Sequence, residues 1–142
     1  MKRMVTILFV LLSCGLFAAK VSLPVPRQYV EDRAGIVSAD HEQQLNGLLK
    51  ELEQKTGVQF IVLTIPTTGG IPIEQYSIEL VEQWKLGQAD KDNGILFTIA
   101  YNDRAYRFEI GYGLEEFLTD QAAGRLGRGV FAPLMKQGRS SE

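Results

Sequence analysis

Six carboxylates, two arginines and a pair of glycines hold the chemistry that can be read from this 142-residue chain. Asp32, Asp103, Glu109, Glu115, Glu116 and Asp120 all fall at expected strand ends, turns or the entry to a helix. Ligands of α/β sheets bind where strand ends and loops converge. Carboxylates gathered there from separate loops suit Ca2+ or Mg2+, hard cations that take oxygen ligands. Taken singly, each acid is better read structurally: Asp120 favours a helix N-terminus, Asp103 shapes a turn, and the glutamates are solvated. Arg104 and Arg107 lie near these acids and would either hold an anion such as phosphate or form ordinary surface ion pairs. Gly111 and Gly113 flank Tyr112 just past a strand. They read as positions of positive φ or of close backbone approach, placing Leu114 and Glu115.

Oxygen chemistry stands out because the alternatives are missing. There is no phosphate-binding P-loop, and Gly124, Gly127 and Gly129 lack both the preceding strand and the order of a dinucleotide fingerprint. No G-x-S-x-G nucleophile elbow occurs. The single histidine, His41, falls in the first turn of an expected helix, exposed and without a catalytic role. With His41 placed there, Ser–His and Cys–His chemistry drop out, and one histidine with no cysteine in the domain cannot make a usual zinc site.

Composition sets the frame. With 45% hydrophobic residues the chain can bury one core. The formal charge is −2, and without residues 1–19, which hold Lys2 and Arg3, it falls to about −4. A duplex nucleic-acid binder normally needs a basic face, so that class is disfavoured. Residues 1–19 read as an export leader, with Lys2 and Arg3 ahead of the apolar-rich run Val5–Leu12. The only cysteine, Cys14, follows Leu11-Leu12-Ser13 in a sequence similar to a bacterial lipobox. Cleavage near Ala18-Ala19, lipid anchoring through Cys14 and an uncleaved anchor all stay open. Each places the domain outside the cytoplasm, in the periplasm or at a membrane. No nucleotide partner is expected.

The elements that would position these residues follow from periodicity. Residues 20–29, with Pro24 and Pro26, read as an extended linker. Ser38 is a helix N-cap, Leu45, Leu48, Leu49 and Leu52 repeat at helical spacing, and Gly57 stops the run. Val58–Ile65 reads as a buried strand, Ile73–Trp84 as a second helix ended by Gly87, and Ile95–Ala100 as another strand. Asn102-Asp103 turns the chain into an antiparallel strand, with Tyr106, Phe108 and Ile110 on one face and Arg107 and Glu109 on the other. A third helix is expected from Thr119 through Leu126, Val130 and Leu134, weakened at Gly124, Gly127 and Gly129 by about 1 kcal/mol each. The order predicts a single α/β domain, a mixed sheet sandwiched between helices.

Ordered short segments then carry a family resemblance. Val30-Glu31-Asp32-Arg33-Ala34-Gly35-Ile36-Val37-Ser38, Thr56-Gly57-Val58-Gln59 and Trp84-Lys85-Leu86-Gly87 come first. Asp92-Asn93-Gly94-Ile95-Leu96, Asp103-Arg104, Gly111-Tyr112-Gly113-Leu114-Glu115 and Leu118-Thr119-Asp120 come after them. Together they resemble the TPM domain family over Tyr29–Gly138. The resemblance implies an α/β sandwich in an exported or membrane-tethered protein that binds a divalent cation, with acid phosphatase activity described for some members. It maps a metal cluster onto Asp32, Glu115 and Asp120, with Asp103 and Arg104 at the hairpin, and a structural role onto Gly94. The domain would occupy residues 30–142, ending sooner than many relatives do.

Two functions compete at this stage. One is a cation-binding accessory module that binds or maintains a membrane-protein complex of the envelope. The other is a metal-assisted phosphomonoesterase, in which water attacks, because Ala34 stands where a phosphoaspartate loop would carry a second aspartate. A purely structural module, its acids only solubilising, comes third.

Overall fold

Ser38 starts the first helix by supplying what its opening turn lacks. In the computed structural model, which describes residues 20–126 and 128, Ser38 is extended (φ −67°, ψ 152°) and its Oγ accepts from the His41 N–H. The same hydroxyl lies 2.7 Å from His41 Nδ1, so the exposed imidazole belongs to the cap. Helix α1 runs over Ala39–Thr56 and stops at Gly57, whose φ of 76° lets its N–H turn back onto the Glu53 carbonyl. Inside α1, Gly47 has open space where a Cβ would go. Gly47→Ala should therefore raise the unfolding free energy by about 0.5–1 kcal/mol, read from a denaturant melt.

Four strands form one sheet: β1 (Val30–Asp32), β2 (Gln59–Ile65), β3 (Gly94–Ala100) and β4 (Ala105–Ile110), in spatial order β1-β2-β3-β4. The first three are parallel, and β4 returns antiparallel through the turn around Asn102-Asp103. The mixed sheet with its helices is the α/β architecture expected from the sequence. β1 has no signal of its own in the sequence. Its three residues include two acids, and it exists only because β2 offers a parallel edge.

Helix α2 (Ile73–Trp84) covers the main core. Its Tyr76, Leu80 and Trp84 pack on Ile61, Leu63 and Ile65 of β2 and on Leu96 and Ala100 of β3. Two fully buried hydroxyls, Ser77 and Thr98, satisfy each other across this interface at 3.0 Å. The helix ends two residues before the expected Gly87, at Lys85, which takes the left-handed conformation itself (φ 53°) and bonds to the Val81 carbonyl. The stretch 20–29, expected as a linker, is docked at both ends: Val21 is part of the core, its N–H meets Glu79 and its carbonyl meets Gln83, the Trp84 indole donates to the Leu23 carbonyl, and Tyr29 bonds to Asn46 and Glu53 of α1.

On the opposite sheet face Phe97 stacks on Phe108, ring centres 4.1 Å apart, as their direct cross-strand register requires. The alternation read along β4 therefore holds. Helix α1 packs on β1 and β2, and none of its residues joins the core under α2. Helix α3 covers Asp120–Leu126. It is capped by Thr119, whose Oγ1 accepts from the Ala122 N–H. Val130 and Leu134, like the leader with Cys14, lie outside the described residues. Among those described, no helix is long and apolar enough to cross a membrane.

Candidate functional site

Parallel strands place their carboxyl ends together, and there two of the predicted acids sit. β1 ends in Asp32, β2 runs into the loop 66–70, and β3 runs into the turn 101–104. Backbone bonds from Tyr101 to Ile65 and from Asn102 to Pro66 carry the β2–β3 pairing past the strands and tie these loops.

Asp32 folds the turn after β1 around its carboxylate. Oδ1 accepts from the Ile36 N–H at 3.1 Å, Oδ2 accepts from the Val37 N–H at 2.9 Å, and the Thr64 hydroxyl donates a short bond to Oδ1. Thr64 also accepts from the Ala34 N–H, while its carbonyl takes the Arg33 N–H. Partial burial works to raise the Asp32 pKa, but the bonds from Thr64 and from the Val37, Ile36 and Gly35 amides outweigh it and hold the carboxyl below its ordinary value. Asp103 is built alike. It accepts from the Thr68 N–H and the Thr67 hydroxyl, each at 2.8 Å, and from the Thr68 hydroxyl at 3.2 Å. Its pKa is lowered first by the Thr68 amide and then by Thr67. Both carboxylates stay ionised near neutral pH. Neighbouring Arg104 takes a left-handed φ of 54° in the exposed turn.

Glu115 is elsewhere. Because β4 runs antiparallel, the residues beyond its end lie at the amino ends of the parallel strands. There the Gly111 N–H meets the Gly94 carbonyl and the Gly113 N–H meets the Asp92 carbonyl. Thr64, Asp32's partner, is in register with Ile99, five residues along β3 from Gly94, or roughly 17 Å of strand. Asp32 and Glu115 therefore cannot share an ion. The cluster expected from the resemblance, Asp32 with Glu115 and Asp120, is thus split between Asp32 and Glu115, while Asp103 follows β3 at the same sheet edge as Asp32. The error was one of direction: a hairpin sends the end of its second strand back to the opposite edge. Asp120 opens α3, and its side chain is not among those described. Among the described residues, no three His, Cys, Asp or Glu side chains gather closely enough to hold a metal ion.

The structural glycines act through contact rather than positive φ. Gly111 has an ordinary φ of −61°. A Cβ there would stand 2.1 Å from the Asp92 carbonyl oxygen, one on Gly113 would stand 1.8 Å from that of Lys91, and one on Gly94 2.7 Å from the Leu86 backbone. These residues clamp the 85–94 connector to the end of β4. Beside the clamp, a groove of about 380 Å³ runs between α2 and β4. Arg107 lies in it, bonded to Glu109 at 2.7 Å, which is the ion-pair alternative rather than an open anion site. Sequence reasoning missed Thr64, Thr67 and Thr68 as the acids' partners. A Thr-Thr-Gly-Gly run straight after a parallel strand was the signal that could have found two of them.

The family model described as the TPM domain matches residues 30–142. No curated protein matches. Among solved structures, the N-terminal domain of a protein from P. gingivalis is 34% identical, with a TM-score of 0.72 over 78% of this chain and 71% of that one. The N-terminal domain of a protein from Corynebacterium glutamicum superposes at a TM-score of 0.60 with 15% identity, over 82% of this chain and 72% of that one, and speaks to the fold alone. With its core, its strand order and its glycine clamp accounted for, the chain belongs to the TPM domain family.

Proposed function

We propose that the protein is an exported or membrane-tethered accessory module. It binds a divalent cation, Ca2+ or Mg2+, at the carboxyl-end edge of its parallel strands, and binds or maintains a membrane-protein complex of the cell envelope. The observation that carries this reading is the pair Asp32 and Asp103, two carboxylates fixed at one sheet edge by amides and hydroxyls of the loops around them. By donor chemistry such an edge suits a hard cation. By donor number the described side chains do not complete a cage, since Ca2+ takes six to eight oxygens. Backbone carbonyls of the carboxyl-end loops and water must supply the rest. The export half rests on the leader-like residues 1–19.

A metal-assisted phosphatase is the lesser reading. Arg104, which it would turn on a phosphate, sits in an exposed turn, and the neighbouring Asp103 is already bonded by Thr67 and Thr68.

Amide NMR spectra recorded with Ca2+ or Mg2+ at millimolar concentration test the cation half. Signals from residues 32–38 and 64–68 should move, and Asp32→Asn should remove that response while the rest of the spectrum stays dispersed. A spectrum that does not change at this edge would contradict the reading.

A further inference from the structure

The groove between α2 and β4 lies at the other end of the sheet and takes no part in the cation site. Among its described lining residues four are acids, Glu82, Asp92, Glu109 and Glu115, and one, Arg107, is basic. That arginine is already neutralised by Glu109. Neither Glu82 nor Glu115 is in an ion pair among the described residues. Among the described lining residues the surplus is three negative charges along one concave surface. A low-dielectric wall strengthens such a field, which attracts cationic groups and repels anionic ones.

The wall here is apolar. Ile78 leaves 45% of its surface exposed on α2, and Val81 and Leu86 continue the same flank. At the groove's end Tyr112 stands 80% exposed, its backbone pinned by the Asp92 carboxylate. An aromatic ring held open beside unpaired acids suits an ammonium or guanidinium group, which the ring face attracts. The acids do not converge closely enough to hold a metal ion. Carboxylates drawn from α2, the connector and the end of β4 in one groove suit a chain that carries several basic groups.

We infer that this groove docks a basic segment of a protein partner, an extended stretch of alternating lysine or arginine and aliphatic residues. The basic side chains meet Glu82 and Glu115, a terminal one lies over Tyr112, and the aliphatic ones cover Ile78 and Val81. This deepens the accessory-module reading by giving the partner's chemistry, while using a site separate from Asp32.

Titration of the labelled protein with the peptide acetyl-Lys-Leu-Lys-Leu-Lys-amide, in the presence of EDTA, tests it. Amide shifts should concentrate at residues 78–86 and 107–115. The double variant Glu82→Gln, Glu115→Gln, both exposed positions outside the core, should weaken binding about tenfold. Binding should also fall as salt is raised. Three results would overturn the inference: no shifts in the groove, equal shifts with the glutamate counterpart of the peptide, or a response only to phospholipid vesicles. Because chelator is present, failure here leaves the cation proposal standing, and loss of the cation response leaves this one standing.

Discussion

Gly113→Ala and Gly111→Ala should each lower the unfolding free energy by about 2–3 kcal/mol, among the largest single losses available outside the core. Both glycines lie close against backbone, the added carbon falling 1.8 Å from the Lys91 carbonyl oxygen and 2.1 Å from that of Asp92. A flexible side chain could swing aside, but a carbonyl moves only with its peptide plane. Shifting it also breaks the bonds from the Gly113 N–H to Asp92 and from the Gly111 N–H to Gly94. For a domain of this size the loss corresponds to roughly 10 °C in Tm. A thermal melt would show it, and the hydrogen exchange of residues 85–94 should quicken first, since that connector is what the glycines hold. An unchanged melt for both variants would mean that the clamp yields easily.

The second large effect centres on Asp32. Asp32→Ala removes the acceptor for the Ile36 and Val37 amides and the Thr64 hydroxyl together. The Val37 amide and the Thr64 hydroxyl are partly buried, and leaving them without partners costs about 1–3 kcal/mol, seen as a lower denaturant midpoint. The same bonds set a pH dependence. A carboxyl whose pKa is lower in the folded than in the unfolded state stabilises the fold above its unfolded pKa, near 3.8. That stabilisation is lost as pH falls through the lower, folded value. Asp103, shifted in the same direction, adds to the trend from an exposed position. Melts between neutral pH and pH 2 should thus show steepening acid destabilisation, flattened in Asp32→Asn. A variant as acid-sensitive as the parent would place the effect elsewhere.

Much of this architecture could be read from residue order. The α1 limits follow from a serine that can cap and a glycine that can turn left-handed, and α2 follows from its apolar stripe. The hairpin register follows from alternation at Tyr106, Phe108 and Ile110. Local patterns fixed those elements. What they could not supply was partnership across distance. β1 depends on β2 for its existence, and Val21 is buried only because α2 presents Trp84 and Leu80 nearby. Lys85 ending α2 was also hidden, because a lysine is not marked by its sequence as a left-handed residue.

The site was legible in half for the same reason. Residue type identified Asp32 and Asp103 as carboxylates at strand or turn ends. Strand direction, which decides which ends meet, is a property of the whole sheet, and it sent Glu115 to the far edge. There it lines, with Glu82 and Tyr112, a groove that no contiguous motif announces. The consequence is a domain with two separate acidic surfaces, one built on hydrogen-bonded loops and the other on a helix flank.

Crystals of the protein grown with calcium chloride test the cation account most directly. The expected result is a Ca2+ ion about 2.3–2.6 Å from a carboxylate oxygen of Asp32, with the remaining oxygens drawn from the carboxyl-end loops and water. An edge that holds only water at that position, or an ion bound instead in the groove beside Glu82 and Glu115, would contradict it.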